Sequence, residues 1–227
     1  AIAYYDGYLY FSSSTGISRI NLNDNAAEIE PVFTIDAVNR PYRYNIEITD
    51  EGDIYFSSGA GAGFYQLQEY FDTLQNAEIY AGNVYDFEIH NGYAFFDSSE
   101  YGSTVLCKLN LETGEVIPFE SVMLSSAAIC LDGDYIYYEG FAAVDENGNG
   151  KDRGIYRISV DGTNPERIIP AEESSMFLSD MYISDSRIYC YYCTGEQDSA
   201  KLLLAYDKSG LNPDNHSDKK ITVFEAK

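Results

Sequence analysis

Asp6-Gly7-Tyr8-Leu9-Tyr10-Phe11-Ser12-Ser13 is a phrase that the rest of the chain repeats. It joins an Asp-Gly turn to an aromatic run that is typical of a β-strand. The phrase returns as Glu51-Gly52-Asp53-Ile54-Tyr55-Phe56-Ser57-Ser58, Asn91-Gly92-Tyr93-Ala94-Phe95-Phe96-Asp97-Ser98, Asp132-Gly133-Asp134-Tyr135-Ile136-Tyr137-Tyr138 and, more loosely, Asp185-Ser186-Arg187-Ile188-Tyr189-Cys190. Counted from Tyr8, Asp53, Tyr93, Tyr135 and Arg187, the steps are 45, 40, 42 and 52 residues. This spacing predicts a repeat protein with one supersecondary unit in each copy.

Each copy has the same neighbours along the chain. A short apolar strand precedes the turn, and two further strands follow the aromatic one, joined by turns such as Asp161-Gly162-Thr163. Four strands per repeat, repeated five times, predict an all-β fold: a β-propeller of five four-stranded antiparallel blades. We expect one domain over 1–227, with repeats at about 1–41, 42–82, 83–121, 122–172 and 173–227. The pattern over Tyr65 to Gln75 also allows a helical turn.

Composition limits the function classes. The formal net charge is −23, which repels phosphate, so we expect neither nucleic acid nor an anionic lipid surface as a partner. No run of 18 apolar residues predicts a membrane span. The acidic residues fall mostly in turns, where they form a solvated surface or attract cations and basic partners. We expect an exported, monomeric protein.

One repeat carries a family resemblance. Tyr135-Ile136-Tyr137-Tyr138 followed by Gly154-Ile155-Tyr156-Arg157-Ile158-Ser159-Val160-Asp161-Gly162-Thr163-Asn164-Pro165-Glu166-Arg167-Ile168-Ile169 resembles a repeat of the YWTD propellers of the lipoprotein-receptor family. The chain is similar above all to a bacterial domain family of unknown function, DUF5050. The resemblance implies a propeller that is exported or surface-associated. The signature tryptophan is replaced by Phe11, Phe56, Phe96, Tyr138 and Cys190, and that family normally has six blades. The receptor ligands therefore do not carry over.

The four cysteines do not predict a disulfide framework or a zinc site. Cys190 and Cys193 have the spacing of a metal pair, but they lie three apart in a strand and so point to opposite faces. A bridge between Cys107 and Cys130 stays open.

The insertion in the fourth repeat resembles the start of a calcium loop. Asp145, Asn147 and Asn149 stand at the first, third and fifth positions, and Gly150 stands at the sixth. Position twelve holds Tyr156 in place of a carboxylate, which leaves Asp152 as the substitute ligand. The alternative is an ordinary Asn/Gly turn. We expect no cofactor other than a calcium ion at this loop.

The first strands of the blades predict a ligand site at the central channel. Glu47 and Glu88 occupy matched places in the second and third repeats, and the corresponding places elsewhere hold Ala3, Ile129 or Cys130, and Tyr182. Three alternatives follow for the two glutamates. They bind a cation between their carboxylates, they act as an acid–base pair, or they only face channel water.

Two function classes follow. The first is a non-catalytic extracellular or cell-surface module that binds a protein, peptide or glycan. The second is a glycan-active enzyme with Glu47, Glu88 and a third acid, Asp132 or Asp185, whose carboxyl groups lie within about 5–10 Å of one another. A spacer that only positions neighbouring domains is a third interpretation.

Overall fold

The structure, a computed structural model, describes residues 2–13, 16–34, 45–57, 64–70, 73–80, 84, 86–98, 104–146, 149–171, 176–194 and 201–226. The chain divides into two compact units. The first unit is Ala1–Gly102 with Cys107–Ile117, and the second is Ser103–Leu106 with Pro118–Lys227. Within the described ranges, no helix has the length and apolar character needed to cross a membrane.

Three four-stranded antiparallel sheets lie in the first unit, except that their residues 105–106 and Pro118 are grouped with the second unit. Sheet 1 is β1 (Ile2–Tyr5), β2 (Tyr8–Ser13), β3 (Gly16–Asn21) and β4 (Glu30–Thr34). Sheet 2 is β5 (Asn45–Ile48), β6 (Ile54–Ser57), β7 (Phe64–Tyr70) and β8 (Thr73–Tyr80). Sheet 3 is β9 (Phe87–His90), β10 (Tyr93–Ser98), β11 (Val105–Asn110) and β12 (Val116–Pro118). In each sheet the strands are neighbours in their order along the chain, and β5 contacts both β1 and β9.

The second unit carries two further four-stranded antiparallel sheets. Sheet 4 is β13 (Met123–Asp132), β14 (Tyr135–Phe141), β17 (Gly154–Ser159) and β18 (Glu166–Pro170). The insertion between β14 and β17 forms a small hairpin, β15 (Ala143–Val144) and β16 (Gly150–Lys151). Sheet 5 is β19 (Met176–Ile183), β20 (Arg187–Thr194), β21 (Lys201–Asp207) and β22 (Lys220–Ala226), with the short helix α1 (His216–Lys219) before β22. The prediction of five four-stranded antiparallel sheets is confirmed.

The turn residues explain why the first hairpins form where they do. Asp6 and Gly7 have φ of 45° and 79°, and Asn91 and Gly92 have φ of 50° and 77°. Two central residues with positive φ match the right-handed twist of the flanking strands, and Asp, Asn and Gly are the residues that tolerate this conformation. The predicted hairpin turns are therefore real.

The strand register makes the repeats equivalent residue by residue. A tyrosine or phenylalanine of each second strand lies opposite one residue of the first strand. These pairs are Ala3 with Tyr10, Glu47 with Tyr55, Glu88 with Phe95, Cys130 with Tyr137, and Tyr182 with Tyr189. Glu47 and Glu88 thus occupy matched places, and in sheet 4 the matched residue is Cys130 rather than Ile129.

The core lies between sheets in each unit. In the first unit, Tyr10 and Ile17 of sheet 1 pack with Ile46 and Phe56 of sheet 2. In the second unit, Tyr137 and Ile155 of sheet 4 cluster with Cys190 and Tyr206 of sheet 5. Because side chains alternate between faces along a strand, Tyr55 and Glu47 point away from the sheet 1 contact. This alternation places their face toward sheet 3.

The expectation of a helical turn over Tyr65 to Gln75 is wrong. Phe64–Tyr70 and Thr73–Tyr80 are antiparallel strands, and β7 also pairs with β6. The pairing supplies hydrogen bonds to the backbone on both sides of β7, and this tertiary context outweighs local helical preference.

Candidate functional site

Two glutamates of the first unit lie where sheets 2 and 3 meet. Glu47 lies in β5 and Glu88 lies in β9. The Glu47 carboxyl oxygen Oε2 accepts a hydrogen bond from the backbone N–H of Ile89 at 2.8 Å. Sequence analysis matched these two glutamates, and the structure brings them to the same contact between sheets 2 and 3.

Burial shifts both carboxyl groups in the same direction. Burial raises the pKa of Glu47 to about 8, although the Ile89 hydrogen bond lowers it and the charge of Asp86 raises it. Burial also raises the pKa of Glu88 to about 9, with further increases from the charges of Glu47 and Asp86. At neutral pH both groups are therefore mostly protonated. A protonated carboxyl group donates a proton or a hydrogen bond, but it is neither a nucleophile nor a strong cation ligand.

Asp86 extends this contact in a way that the sequence did not reveal. Its Oδ1 accepts hydrogen bonds from the side-chain amide of Asn45 and, at 3.1 Å, from the backbone N–H of Phe87. The backbone N–H of Asp86 donates to Oδ1 of the buried Asp97 at 2.8 Å. The sequence does hold a signal that could have identified these two residues. Asn45 and Asp86 are each the polar residue directly before the first apolar residue of a first strand.

An open pocket lies beside these glutamates in the first unit. Its volume is about 480 Å³. Side chains and backbone of sheets 2 and 3, mostly from their turns, line it. They are Thr49, Glu51, Asp53, Tyr55, Ile89, Asn91, Gly92, Tyr93, Asn110, Leu111 and Glu112. None of these lining residues is basic, and Glu51, Asp53 and Glu112 are exposed acids.

Two acids of the pocket act on one of its tyrosines. Burial raises the pKa of the Tyr55 phenol, and the negative charges of Asp53 and then Glu51 raise it further. Two lining residues of the pocket also contact Glu47. Tyr55 lies opposite Glu47 in the strand pair, and the backbone N–H of Ile89 donates a hydrogen bond to the Glu47 carboxyl group. The pocket therefore has an aromatic wall, and the charged residues among those named as its lining are all acidic.

Sheets 1 and 4 show a recurring arrangement of tyrosine, arginine and glutamate. In sheet 1, Arg19 lies opposite Tyr10 and stands 4.3 Å from the ring centre of Tyr8. Its Nε donates to Glu30 at 3.0 Å, and its guanidinium reaches the Tyr10 hydroxyl at 3.5 Å.

In sheet 4, Arg157 takes the same position. It lies opposite Tyr137, 5.2 Å from the ring centre of Tyr135, and Nη2 donates to Glu166 at 2.8 Å. This arrangement was not predicted, although Arg19 and Arg157 both stand fourth in their predicted third strands.

The other residues that were predicted for the channel or for catalysis lie in the second unit. Tyr182 is 66% exposed, and its ring centre is 6.1 Å from that of Tyr189. Asp132 accepts a hydrogen bond from Lys208 Nζ at 2.5 Å in a partly exposed ion pair. Asp185 is an exposed turn residue before β20. Asp132 is therefore engaged by a lysine within its own unit.

The predicted calcium loop is the hairpin between β15 and β16. Asp145 Oδ1 accepts a hydrogen bond from the Asn149 backbone N–H at 2.8 Å, and Asp145 Oδ2 accepts one from the Asn149 side-chain amide at 3.2 Å. The Asp152 carboxylate lies 3.2 Å from Arg167. Asn147 lies outside the described residues. Within the described part of the chain, no three His, Cys, Asp or Glu side chains are grouped to hold a metal ion. Calcium binding here stays a prediction.

No disulfide joins any of the four cysteines, all of which lie in the described part of the chain. Cys107, Cys130 and Cys190 are buried and Cys193 is partly exposed. Cys190 lies opposite Met181 and Cys193 opposite Phe177 on the same strand pair, an odd spacing that puts the thiols on opposite faces.

A buried ion pair in the second unit also escaped sequence analysis. Glu139 is 1% exposed and lies 2.9 Å from Arg153. In the strand alignment Glu139 stands where sheet 3 has the buried Asp97. The aromatic strand signal hid both acids, because each follows directly on an apolar aromatic run.

The chain is similar to several solved structures. It matches a protein described as TolB from Agrobacterium tumefaciens with a TM-score of 0.61 and 16% identity, over 96% of this chain and 77% of that one. It matches a chain in a nidogen/laminin complex with a TM-score of 0.63 and 10% identity, over 99% of this chain and 78% of that one. It also matches puromycin hydrolase with a TM-score of 0.61 and 9% identity, over 97% of this chain but only 36% of the hydrolase.

The first two of these structures contain β-propellers, and together with the sheet topology they show that the chain has the β-propeller fold. At these identities the similarity extends to the fold alone. No protein-family model and no curated protein matches the chain.

Proposed function

We propose that this chain is a non-catalytic propeller module that binds a protein partner outside the cell or at its surface. The observation that carries the proposal is the open pocket of sheets 2 and 3, with its polar, acidic and aromatic walls. Aromatic side chains combined with a few placed polar groups are typical of surfaces that recognise a ligand. The nidogen structure, in which a chain of the same fold is found in a complex with laminin, supports a protein partner.

The protonation of the glutamate pair favours binding over hydrolysis. A glycosidase needs one ionised and one protonated carboxyl group at the scissile bond. The pKa values of Glu47 and Glu88 are raised to about 8 and about 9, so both carry a proton at neutral pH. Glu47 is in addition held by the Ile89 N–H.

The proposal also covers the family of the protein and its location in the cell. The strand phrases around Tyr135 and Gly154 support membership of the bacterial DUF5050 family, whose propellers resemble those of lipoprotein receptors. The acidic composition suits an exported protein. Peptides and glycans, as well as proteins, are ligands that the fold accommodates. The spacer interpretation predicts no ligand at all.

The alternative is a glycan-active enzyme. The specific observation in its favour is that Glu47 and Glu88 are near enough for the charge of one to raise the pKa of the other. Two carboxyl groups that interact in this way titrate as a coupled pair. Above about pH 8 one of them ionises first, so one can act as the base and the other as the acid.

The experiment is a binding screen with a parallel activity assay. The purified chain is tested on arrays of extracellular proteins, peptides and glycans, and it is incubated with chromogenic glycosides from pH 5 to pH 9. Saturable binding to a protein without glycoside turnover supports the proposal. Turnover that is lost in Glu88→Gln establishes the enzyme alternative, and blank arrays with no turnover overturn the binding module.

A further inference from the structure

We infer that copies of this chain associate head to tail, with sheet 5 of one copy packed on sheet 1 of the next. The rear face of sheet 5 is the exposed surface of Tyr182, Val223 and Phe224. The front face of sheet 1 is the exposed surface of Ile2 and Tyr4. All five residues are separate from the described lining of the pocket of sheets 2 and 3. The inference therefore goes beyond the proposed function and does not depend on it.

The contacts between consecutive sheets show what such faces pack against. In the first unit, Val32 and Phe33 of β4 pack on the core of sheets 1 and 2, and the Phe33 ring centre is 5.6 Å from that of Phe56 in sheet 2. In the second unit, Ile168 and Ile169 of β18 are buried in the core that sheets 4 and 5 share. In both units, the fourth strand of one sheet thus supplies an apolar pair that the next sheet covers.

The strand register identifies the same pair in sheet 5. The fourth strands β4, β18 and β22 each have one extra residue relative to the third strand, and these residues are Val32, Ile168 and Val223. Val223 and Phe224 are therefore equivalent to Ile168 and Ile169. Ile168 is 2% exposed and Ile169 is 0% exposed, whereas Val223 and Phe224 are both 51% exposed. The apolar pair of sheet 5 is thus uncovered.

The tyrosines of the second strands lead to the same conclusion. Tyr10 of sheet 1 and Tyr137 of sheet 4 are buried in the cores that these sheets share with the next sheet. The equivalent tyrosine of sheet 5, Tyr189, is only half-buried, and Tyr182 opposite it is 66% exposed. The rear face of sheet 5 is therefore the surface that sheets 1 and 4 bury against a following sheet.

The front face of sheet 1 is the other half of this kind of contact. Ile46 of sheet 2 belongs to the core of sheets 1 and 2, and Met181 of sheet 5 belongs to the core of sheets 4 and 5. Ile2 is their equivalent, since each of the three directly precedes one of the matched places of the first strands. Ile46 and Met181 are buried, but Ile2 is 70% exposed and Tyr4 is 66% exposed.

The chemistry of the two faces favours association. The first and last units of a repeat array need polar side chains where their end faces meet water. Sheets 1 and 5 instead present large apolar side chains there, and exposed apolar patches of this kind mark sites of protein association. Each face is the counterpart of the other, because a front face packs on a rear face within both units. A contact between two different faces of one chain is heterologous, so it joins copies head to tail.

Charge also favours a second copy as the partner. Residues 201–227, which include β21 and β22 of sheet 5, carry five lysines and four acidic residues. Residues 1–200 carry nine lysine and arginine residues against 33 acidic residues, and residues 2–34 carry one against four. This part of sheet 5 is thus close to neutral in a strongly acidic chain. Its lysines are complementary to the acids around sheet 1 of the next copy.

The direct test is sedimentation velocity of the purified chain from about 10 μM to about 1 mM. The inference predicts masses above the monomer that increase with concentration, because each added copy leaves one face open at either end. The net charge of −23 repels the copies from one another, so association is expected to strengthen between about 0.15 M and about 1 M salt. The sequence predicted a monomer, and a monomer at every concentration in both salts overturns the inference.

Two variants with matched controls locate the contact. Val223→Asp in the rear face is expected to weaken association on the order of tenfold, because it places a charge in an apolar contact. Val144→Asp is its control, since Val144 is 53% exposed in the β15–β16 hairpin and the charge change is the same. Ile2→Asp in the front face is compared in the same way with Ile29→Asp, at a residue that is 63% exposed. If the controls weaken association as much as the variants, net charge explains the effect and the inference fails.

Mixing the two variants tests the head-to-tail arrangement. The Val223→Asp protein keeps an intact front face, and the Ile2→Asp protein keeps an intact rear face. Each is expected to be monomeric alone at concentrations where the wild type associates, and an equimolar mixture is expected to form a dimer and nothing larger. A mixture that stays monomeric, or one variant that still associates by itself, rules out the contact between sheet 5 and sheet 1.

Discussion

Replacing Glu88 with glutamine is expected to stabilise the protein at neutral and alkaline pH. The carboxyl group of Glu88 has a pKa of about 9 in the folded protein, against an ordinary value of 4.5, because it is buried near Glu47 and Asp86. Between these two values the unfolded chain has lost the proton and the folded chain has kept it. The folded state then binds more protons, so stability falls as the pH rises from about 4.5 to about 9.

The magnitude follows from the size of the shift. One pH unit inside this window costs about 1.4 kcal/mol for one carboxyl group, so the change from pH 5 to pH 7 amounts to about 3 kcal/mol. For a chain of this size, that free energy corresponds to roughly 6–12 °C in Tm. Glutamine has nearly the same shape and does not ionise, so Glu88→Gln removes the part of the pH dependence that Glu88 contributes, while Glu47, whose pKa is raised to about 8, keeps its own.

The assay is thermal unfolding of the wild type and Glu88→Gln at pH 5, 6, 7 and 8. Glu28→Gln changes the same charge at an exposed position and controls for the repulsion within a highly acidic protein. The Tm difference between Glu88→Gln and wild type is expected to be small at pH 5 and to grow steadily toward pH 8. A difference that stays constant with pH, or that matches Glu28→Gln, refutes the burial of an uncharged carboxyl group.

Three further predictions concern the scaffold and the insertion. Glu139→Ala is expected to lower the free energy of unfolding by about 3–5 kcal/mol, because it removes the carboxylate that pairs with the largely buried Arg153. Urea unfolding measures this loss, and circular dichroism is the probe because the chain has no tryptophan. Gly16→Ala is expected to cost more than about 1 kcal/mol, since Gly16 has φ of +135° and an added Cβ would lie 1.9 Å from the carbonyl oxygen of Phe33. The matched control is Gly114→Ala, where φ is +73° but nothing lies within 4 Å, and an equal loss in both variants would contradict the steric explanation. The predicted calcium loop requires that calcium raise Tm, that chelator reverse the shift and that Asp145→Asn abolish it; an unchanged Tm would favour the ordinary Asn/Gly turn.

The sequence alone determined the repeated sheet. Asp-Gly and Asn-Gly pairs followed by aromatic runs specify hairpins locally, because backbone twist and side-chain packing are properties of a few neighbouring residues. Their regular spacing gave the four-stranded unit and its repetition, and the matched places of Glu47 and Glu88 could be read from alignment of the copies. Local reasoning failed over Tyr65 to Gln75, where pairing with β6 decided between a strand and a helical turn.

The tertiary structure decided what the charged residues do. Whether Glu47 is ionised depends on its burial and on the Ile89 N–H, which lies 42 positions away in the chain. The pocket likewise requires turns from two sheets, which no single repeat supplies. Burial, charge coupling and cavity shape depend on distances between strands that are far apart in sequence, and no local pattern encodes those distances.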